Sequence, residues 1–421
     1  MENKSMFLIS PDETELWEHS GDRCPLGLGY LSSYCKNILN LNTKIYDMNH
    51  EKKEDLMKDI TLINPNYICV SISTPSYLWC IDLVKEIKKV YNGKLIAGGN
   101  HITDNPDEKL TIDNFDYIIV GDGEIAIKRI VEGNVLTKII ISEKVNVNEV
   151  PWPDYEGMKF ERYNFTFEGK KCAMIISSRG CVYGCAFCGS AKIKKWRPRT
   201  PEDVVNEMKY LQDNYQIESF YFGDDIFSFD RQRVIDICVL ILAKLNIITF
   251  RITTRVNLLD EEMLEYLKDS GCRVICLGLE SGDDEILRNI RKGATVQHAR
   301  DAVNMVHRFG MKVKGFFIIG LPGETKQTAM KTIQFAKELK IDYVDFYPYT
   351  PYPSTPIWDN PQKFNLEVIK PINSDWNNYF QVDKQGMPRE WKVKHPNLTQ
   401  EDVYELIELG KREVNVTGMT K

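Results

Sequence analysis

The chain of 421 residues is too long for one ordinary core, so two or three domains are expected. A hydrophobic content of 43% and a charged content of 27% describe a globular protein, and a net charge of −6 without a basic stripe argues against a nucleic-acid binder. No stretch approaches the roughly 18 uninterrupted apolar residues of a membrane-spanning helix. The first residues lack the apolar run of a signal peptide, so the cytoplasm, where thiols stay reduced, is the expected compartment.

Over residues 1–145 short apolar runs alternate with amphipathic stretches, the pattern of a doubly wound, Rossmann-like (flavodoxin-like) α/β domain. Strands are predicted over Met6–Ser10, Thr43–Asp47, Tyr67–Ile72, Lys94–Gly99 and Tyr117–Gly121, with helices over Leu26–Ile38 and about 76–90. Ligands of such sheets bind beyond the carboxyl ends of the strands. Those ends carry Ser71-Ile72-Ser73-Thr74, Gly98-Gly99-Asn100-His101 and Gly121-Asp122-Gly123-Glu124. The glycines permit close backbone approach to a large ligand. Neither a Gly-x-Gly-x-x-Gly fingerprint nor a P-loop is present to favour a nucleotide.

Pro25–Leu31, the Ser-Ile-Ser-Thr segment, the Gly-Gly pair and Gly-Asp-Gly-Glu stand in the order found in cobalamin-binding domains, and the first domain resembles those fused in front of radical S-adenosylmethionine (SAM) domains. The resemblance assigns Ser71, Ser73, Thr74, Gly98, Gly99, Gly121 and Glu124 to cobalamin. No Asp-x-His-x-x-Gly follows the first strand, so the resemblance implies a cobalt without that histidine as lower ligand. His101 is expected to be a loop or surface residue. A flavodoxin-like domain without cobalamin is the alternative.

Residues 146–170, with two prolines flanking Trp152, read as a linker. A second α/β series then occupies residues 171–350. Its strands are predicted over Ala173–Ser177, Ser219–Phe222, Thr249–Thr253, Val274–Leu279, Lys314–Ile319 and Tyr343–Tyr347, with helices such as Pro201–Tyr215 and Glu261–Ser270 between them. Thr200 ahead of Pro201 is an N-cap signal. Six strand–helix units fit a partial (β/α)6 TIM-type barrel, whose chemistry belongs at the carboxyl ends of the strands.

The first of these strands leads into Cys181, Cys185 and Cys188, spaced CxxxCxxC with no fourth cysteine nearby. Structural zinc sites and ordinary clusters use four protein ligands. Three thiolates can hold an iron–sulfur cluster with one iron lacking a local protein ligand, which then borrows its fourth ligand from afar or binds a substrate. Later strand ends are polar: Gly223-Asp224-Asp225, Thr254-Arg255-Val256-Asn257, Glu280-Ser281-Gly282 and Gly320-Leu321-Pro322-Gly323-Glu324. Lys192, Lys194, Lys195, Arg197 and Arg199 after the cysteines read as a solvated face, with the mouth of a site as the alternative. Cys272 and Cys276 share one strand face, and no cysteine follows them, which disfavours a second cluster.

The cysteine run, with Phe187 before its third cysteine, resembles the signature of the radical SAM enzymes, and the polar strand ends resemble those of the B12-dependent members. The resemblance implies that SAM chelates the open iron of a [4Fe-4S] cluster, that Phe187 packs near the adenine, and that Ile318 and Gly320 approach the nucleoside. Glu280 and Arg255 are candidates for the ammonium and carboxylate of its methionine part. Asp224 joins this SAM set, with helix capping as its alternative, as for Asp225.

Residues 351–421 form a small C-terminal region; together with Tyr347–Pro348 it opens on a run rich in proline and tyrosine and adds Trp376, Tyr379, Phe380 and Trp391. It either covers substrate or serves as an exposed linker, and a closing helix is predicted over Thr399–Arg412. The family chemistry implied is a methyltransferase reaction: reductive cleavage of SAM gives a 5′-deoxyadenosyl radical that abstracts hydrogen from an unactivated carbon. Methylcobalamin then supplies the methyl group. A B12-dependent cyclase or rearrangement enzyme is the runner-up, and a non-enzymatic metal or iron–sulfur protein is remote. Expected partners are a small-molecule, lipid or peptide substrate and an electron donor such as flavodoxin or ferredoxin, with the substrate pocket between the two domains and no nucleic acid.

Overall fold

The computed structural model describes residues 4–14, 20–192, 195–371, 376 and 390–414. Lys194, Tyr379 and Phe380 lie outside the described residues, as do the side chains of 191–192. The chain divides into two compact units, Met1–Asn164 with Pro371–Asp383, and Phe165–Lys370 with Lys384–Lys421.

In the first unit β1 (Ser5–Ser10), β2 (Asn42–Asp47), β3 (Tyr67–Ser71), β4 (Lys94–Gly98), β5 (Tyr117–Val120) and β6 (Ile139–Ile141) form one parallel sheet in the order β2-β1-β3-β4-β5-β6. Between them run α1 (Leu26–Leu39), α2 (Lys53–Ile63), α3 (Tyr77–Ile87), α4 (Asn100–Asp104), α5 (Lys109–Asn114) and α6 (Gly123–Val131). Strands buried on both faces need continuous apolar runs, and β1 buries Met6, Phe7, Leu8 and Ile9 in succession. Helices α1 and α2 end on Asn40 and Asn64, both left-handed, a conformation asparagine tolerates better than most residues.

Much of the predicted linker packs into this unit. Asp154 accepts a hydrogen bond from Ser32 at 2.6 Å and pairs with Lys36 at 2.6 Å, while Arg162 pairs with Glu51 at 2.6 Å. Tyr155, Met158, Phe160 and Tyr163 are buried, so the segment has its own apolar anchors and ends as a linker only at Asn164. The C-terminal region is likewise split, because Trp376 is buried in the first unit.

The second unit opens with β7 (Thr166–Phe167), antiparallel to β8 (Lys170–Ile175). A short pair, β9 (Ser178–Arg179) and β10 (Arg197–Pro198), frames the cysteine loop. Then follow α7 (Pro201–Tyr215), β11 (Ser219–Phe222), α8 (Arg231–Lys244), β12 (Thr249–Thr254), α9 (Glu261–Asp269), β13 (Cys272–Glu280), α10 (Asp284–Asn289), α11 (Val296–Arg308), β14 (Lys312–Ile319), α12 (Lys326–Glu338), β15 (Tyr343–Pro348), α13 (Pro356–Asp359) and α14 (Gln400–Val414). The six parallel strands β8, β11, β12, β13, β14 and β15 neighbour one another in chain order, an open half-barrel. Each helix from α7 to α12 begins on a Thr or Asp whose side chain accepts from the first turn. Each such cap is worth about 1 kcal/mol.

Strand alternation sorts the barrel's faces. On β14, Val313, Phe317 and Ile319 are buried, and Phe317 meets Phe335 of α12. Lys314, Phe316 and Ile318 therefore point to the concave side. At the amino end of the barrel, Phe165 and Phe167 pack on Cys172, Val274 and Cys276, and the Arg251 guanidinium lies over Phe165, Phe167 and Tyr221. The chemistry-bearing end is the opposite one. Among the described residues no helix is long and apolar enough to cross a membrane.

Candidate functional site

The barrel site is built on a loop that leaves β8 and is held from three sides. Asp224, buried just after β11, accepts from the backbone N–H of Ser177 at 2.7 Å, from Ser177 Oγ at 2.6 Å and from Ser178 Oγ at 2.5 Å. Burial pushes its carboxyl above the ordinary carboxylate range, against these hydrogen bonds and Arg233 nearby. Asp224 thus fixes the stretch that delivers the cysteines, and it does not cap α8, which Asp230 does. Behind the loop, Ala186 donates to the Ile290 carbonyl at 2.8 Å and accepts from Ile357 of α13 at 3.2 Å. The segment that follows the proline- and tyrosine-rich run therefore braces the cysteine loop, and burial, with Cys188 as a further contribution, raises the phenol of Tyr352.

Cys185 is buried and Cys181 and Cys188 half-buried. Desolvation raises the thiols of Cys181 and Cys188, while the backbone N–H groups of Tyr183 and Ser190 bond to their sulfurs and favour thiolate. Arg255 Nη1 lies 3.4 Å from Cys185 Sγ. Each sulfur thus has its own N–H donor, the environment a metal-bound thiolate requires. Among the described residues no three His, Cys, Asp or Glu side chains converge on one metal ion. A cluster does not need that convergence, because each thiolate takes a separate iron.

Glu280 ends β13 at a bulge in its pairing with β14 and has φ of 65°. Its carboxylate meets Lys292 Nζ at 2.6 Å in a buried ion pair. Lys292 also accepts through its backbone carbonyl from Arg255 Nη2, which ties the pair to the cysteine loop. Beside the expected contact with the SAM carboxylate, the Arg255 guanidinium directs three of its five N–H groups at Cys185, Lys292 and Asn257. The cation beside Glu280 is Lys292, which sequence reasoning missed. A single lysine twelve residues downstream of its partner carries no motif.

Ile318 and Phe187 are half-buried, and Gly320 sits at φ of 92° with Trp391 so close that a Cβ would come within 2.5 Å of its ring. The Gly320–Thr325 loop is shaped by Glu324, which accepts from the Gly320 and Leu321 N–H groups at 2.5 and 3.3 Å. Burial lifts the Glu324 carboxyl to about 8. Of the basic run after the cysteines, Arg199 is buried between Asp203 and Glu207, so it is a packing element of α7 and not part of a solvated face.

In the first unit, Ser71 pairs in register with Gly98, Ile72 donates to the Gly98 carbonyl at 2.8 Å, and His101 N–H donates to Ile72 at 3.1 Å. These bonds gather Ser71, Ser73, Thr74, Gly98 and Gly99 at one sheet edge. Gly121 joins them through Thr103, whose Oγ1 accepts its N–H at 3.1 Å. A Cβ on Gly99 (φ 100°) would strike the Ile72 backbone at 2.6 Å, so the fold itself requires that glycine. A Cβ on Gly98 would meet nothing within 4 Å, which leaves open space over the edge for a flat ligand. Glu124 is buried in the first turn of α6, and its charge adds to the burial that raises the phenol of Tyr34 in α1. His101 is fully buried, neither loop nor surface: it lies 4.2 Å from the Tyr77 ring and 5.0 Å from Trp376, and Trp376 is fastened to Glu108 at 2.9 Å. Desolvation lowers its imidazole to about 3.

A three-thiolate loop at the mouth of a half-barrel, joined in one chain to an α/β sheet with an open carboxyl edge, defines a metallocofactor enzyme. A model of the radical SAM superfamily matches residues 175–336 and one of the B12 binding domain matches residues 18–131. An uncharacterized methyltransferase of Pyrococcus horikoshii is 31% identical over 432 residues, covering 96% of this chain and 90% of that protein. The anaerobic magnesium-protoporphyrin IX monomethyl ester cyclase of Rubrivivax gelatinosus is 24% identical, over 83% of this chain and 69% of that one. The solved structure of the radical S-adenosylmethionine methyltransferase TsrM of Kitasatospora setae, with cobalamin and a [4Fe-4S] cluster bound, shares the fold with a TM-score of 0.76 at 16% identity, over 97% of this chain and 90% of that one. The chain belongs to the cobalamin-dependent radical SAM enzymes, whose cofactors are a [4Fe-4S] cluster, SAM and cobalamin. Its relatives favour methyl transfer over cyclisation.

Proposed function

We infer that the chain methylates an unactivated carbon of a small-molecule substrate. The observation that carries this reading is the adjacency of three N–H-bonded cysteine sulfurs and the buried Lys292–Glu280 pair at one barrel mouth. When bound, the cluster supplies the electron that cleaves SAM to a hydrogen-abstracting radical, and cobalamin supplies the methyl group.

The chain's own residues bind and orient. Cys181, Cys185 and Cys188 would hold the cluster, and Asp224 keeps their loop in place through Ser177 and Ser178. Glu280 and Lys292 form a zwitterion that matches the ammonium and carboxylate of the methionine part of SAM: each partner exchanges its neighbour for a ligand group of the same charge. Phe187 packs against the adenine, and Ile318 with the Gly320 backbone borders the nucleoside. Ser71, Ser73, Thr74, Gly98, Gly99, Gly121 and Glu124 would receive cobalamin. A flavodoxin or ferredoxin supplies the electron.

The test is anaerobic reconstitution of the full chain with iron, sulfide and cobalamin, followed by dithionite and SAM. Formation of 5′-deoxyadenosine is expected, and its persistence in the C181A/C185A/C188A variant overturns the reading. Loss of the methyl group from methylcobalamin in step with product separates methyl transfer from cyclisation.

A further inference from the structure

We propose that Arg255 is a positioning residue that sets the reduction potential of the cluster through Cys185, in addition to any part played by the barrel mouth in binding SAM. The inference rests on the reading that the three cysteines carry a [4Fe-4S] cluster.

Arg255 stands immediately after β12 and is buried. Its guanidinium is fixed on every side. Nη1 lies 3.4 Å from Cys185 Sγ, Nη2 donates to the Lys292 carbonyl, and Nε is 3.4 Å from Asn257 Oδ1. One face of the plane covers the Tyr183 ring, with Cζ 3.8 Å from its centroid. Tyr183 itself belongs to the loop between Cys181 and Cys185, so the arginine grips the loop by ring and by sulfur together.

Among the described residues no carboxylate pairs with this arginine. A buried cation without a counter-ion is costly, and an arginine side chain cannot lose its proton to escape that cost. With the cluster bound, the negative charge it faces is that of the core and its Cys185 ligand. An electron added to the cluster places one more unit of negative charge on the iron–sulfur core and its thiolates. A fixed cation and an N–H···S bond stabilise that reduced state more than the oxidised one, and hydrogen bonds to sulfur together with net charge are the protein's means of setting such potentials. Arg255 therefore raises the potential and brings the cluster within reach of a cellular one-electron donor. Lysine cannot reproduce the arrangement, since a single ammonium lacks the planar fork that reaches sulfur and carbonyl while stacking on tyrosine.

The experiment is an EPR-monitored redox titration of the reconstituted full chain with dithionite, for wild type, Arg255→Met and Arg255→Lys, with SAM affinity measured beside it. Arg255→Met is expected to move the midpoint to more negative values by at least a tenfold change in the reduced-to-oxidised ratio, about 59 mV for one electron. Arg255→Lys should fall between the two, and SAM affinity should stay within threefold of wild type. A midpoint unchanged in Arg255→Met, or a tenfold loss of SAM affinity at constant midpoint, overturns the proposal. Should Arg255→Met fail to retain its cluster, Arg255→Gln keeps an N–H donor and drops the charge, and a midpoint at or above that of wild type overturns the proposal equally. A wild-type chain that takes up no iron and sulfide fails the underlying reading and this inference with it. An assembled cluster indifferent to Arg255 fails this inference alone.

Discussion

Lys292 Nζ stands 2.6 Å from Glu280 Oε1, both side chains buried at the carboxyl end of the half-barrel. Removing one partner of a buried pair leaves the other charge uncompensated, at a cost of about 3–5 kcal/mol, whereas replacing both by apolar groups is often close to neutral. Lys292→Met is therefore expected to lower the denaturation midpoint of the chain clearly. The double variant Glu280→Met/Lys292→Met should recover most of that loss. If the pair serves SAM, the recovered double variant still binds SAM at least tenfold more weakly in equilibrium dialysis. Wild-type affinity in the double variant would reduce the pair to a packing element.

Asp224 offers a second separation of support from contact. Its carboxylate accepts three hydrogen bonds from Ser177 and Ser178, and a buried donor left without a partner costs about 1–3 kcal/mol. Asp224→Ala strands these donors and should cut the iron retained per chain after reconstitution and gel filtration by several fold. Asp224→Asn keeps one carbonyl oxygen and should retain an intermediate amount. Iron content equal to wild type in Asp224→Ala would show that the loop is held without it.

How much of this was legible in the sequence depended on whether a residue's partner was local. The strands, the N-caps and the three cysteines announce themselves through periodicity and short spacing, and β8, β11 and β12 fall within a few residues of expectation. The two features that organise the barrel mouth are long-range. Nothing near Arg255 in the chain foretells Cys185, seventy residues earlier, and nothing near Glu280 foretells Lys292. His101 was misjudged for the same reason: its position after Gly98-Gly99 looks like a loop, but Tyr77 and Trp376 enclose it from distant parts of the chain. Residues 146–164 carry the signals of a linker, proline and lapsed periodicity, yet Asp154 and Arg162 find their partners more than a hundred residues away.

The adjacent glycines at the end of β4, Gly98 and Gly99, should respond in opposite ways to the same methyl group. Gly99→Ala forces a Cβ to within 2.6 Å of the Ile72 backbone at a left-handed φ, and overpacking of this kind costs about 1–3 kcal/mol. Gly98→Ala meets open space, so its stability should stay within about 0.5 kcal/mol of wild type. Its cobalamin affinity, read from the visible spectrum on titration, should nonetheless fall, because the methyl group occupies the face left open above the sheet edge. Unaltered cobalamin binding in a stable Gly98→Ala chain would move the cofactor away from that edge.

The two units should also respond oppositely to pH. His101 is held at about 3 in the folded first unit by burial, against an ordinary value of 6.5, so the unfolded chain binds the extra proton between these limits. Its contribution to the stability of that unit is then full above about pH 6.5 and is lost as pH falls toward 3. Glu324 is raised by burial to about 8 from 4.5, so here the folded state holds the proton. Its contribution is full below about pH 4.5 and declines as pH rises through 8. Thermal melts of His101→Phe should show a shallower acid-side decline of the first unit, the remainder coming from Glu51, Asp59 and Asp154, whose carboxyls are held below the ordinary range, while the alkaline limb of the second is unchanged. Glu324→Gln should do the reverse, since the amide still accepts from the Gly320 and Leu321 N–H groups but has no proton to release. Comparing the Trp376→Phe and Trp391→Phe chains by tryptophan fluorescence separates the two responses, because Trp376 lies against His101 and Trp391 against Gly320. Parallel pH profiles in both variants would remove these two groups as the source of the dependence.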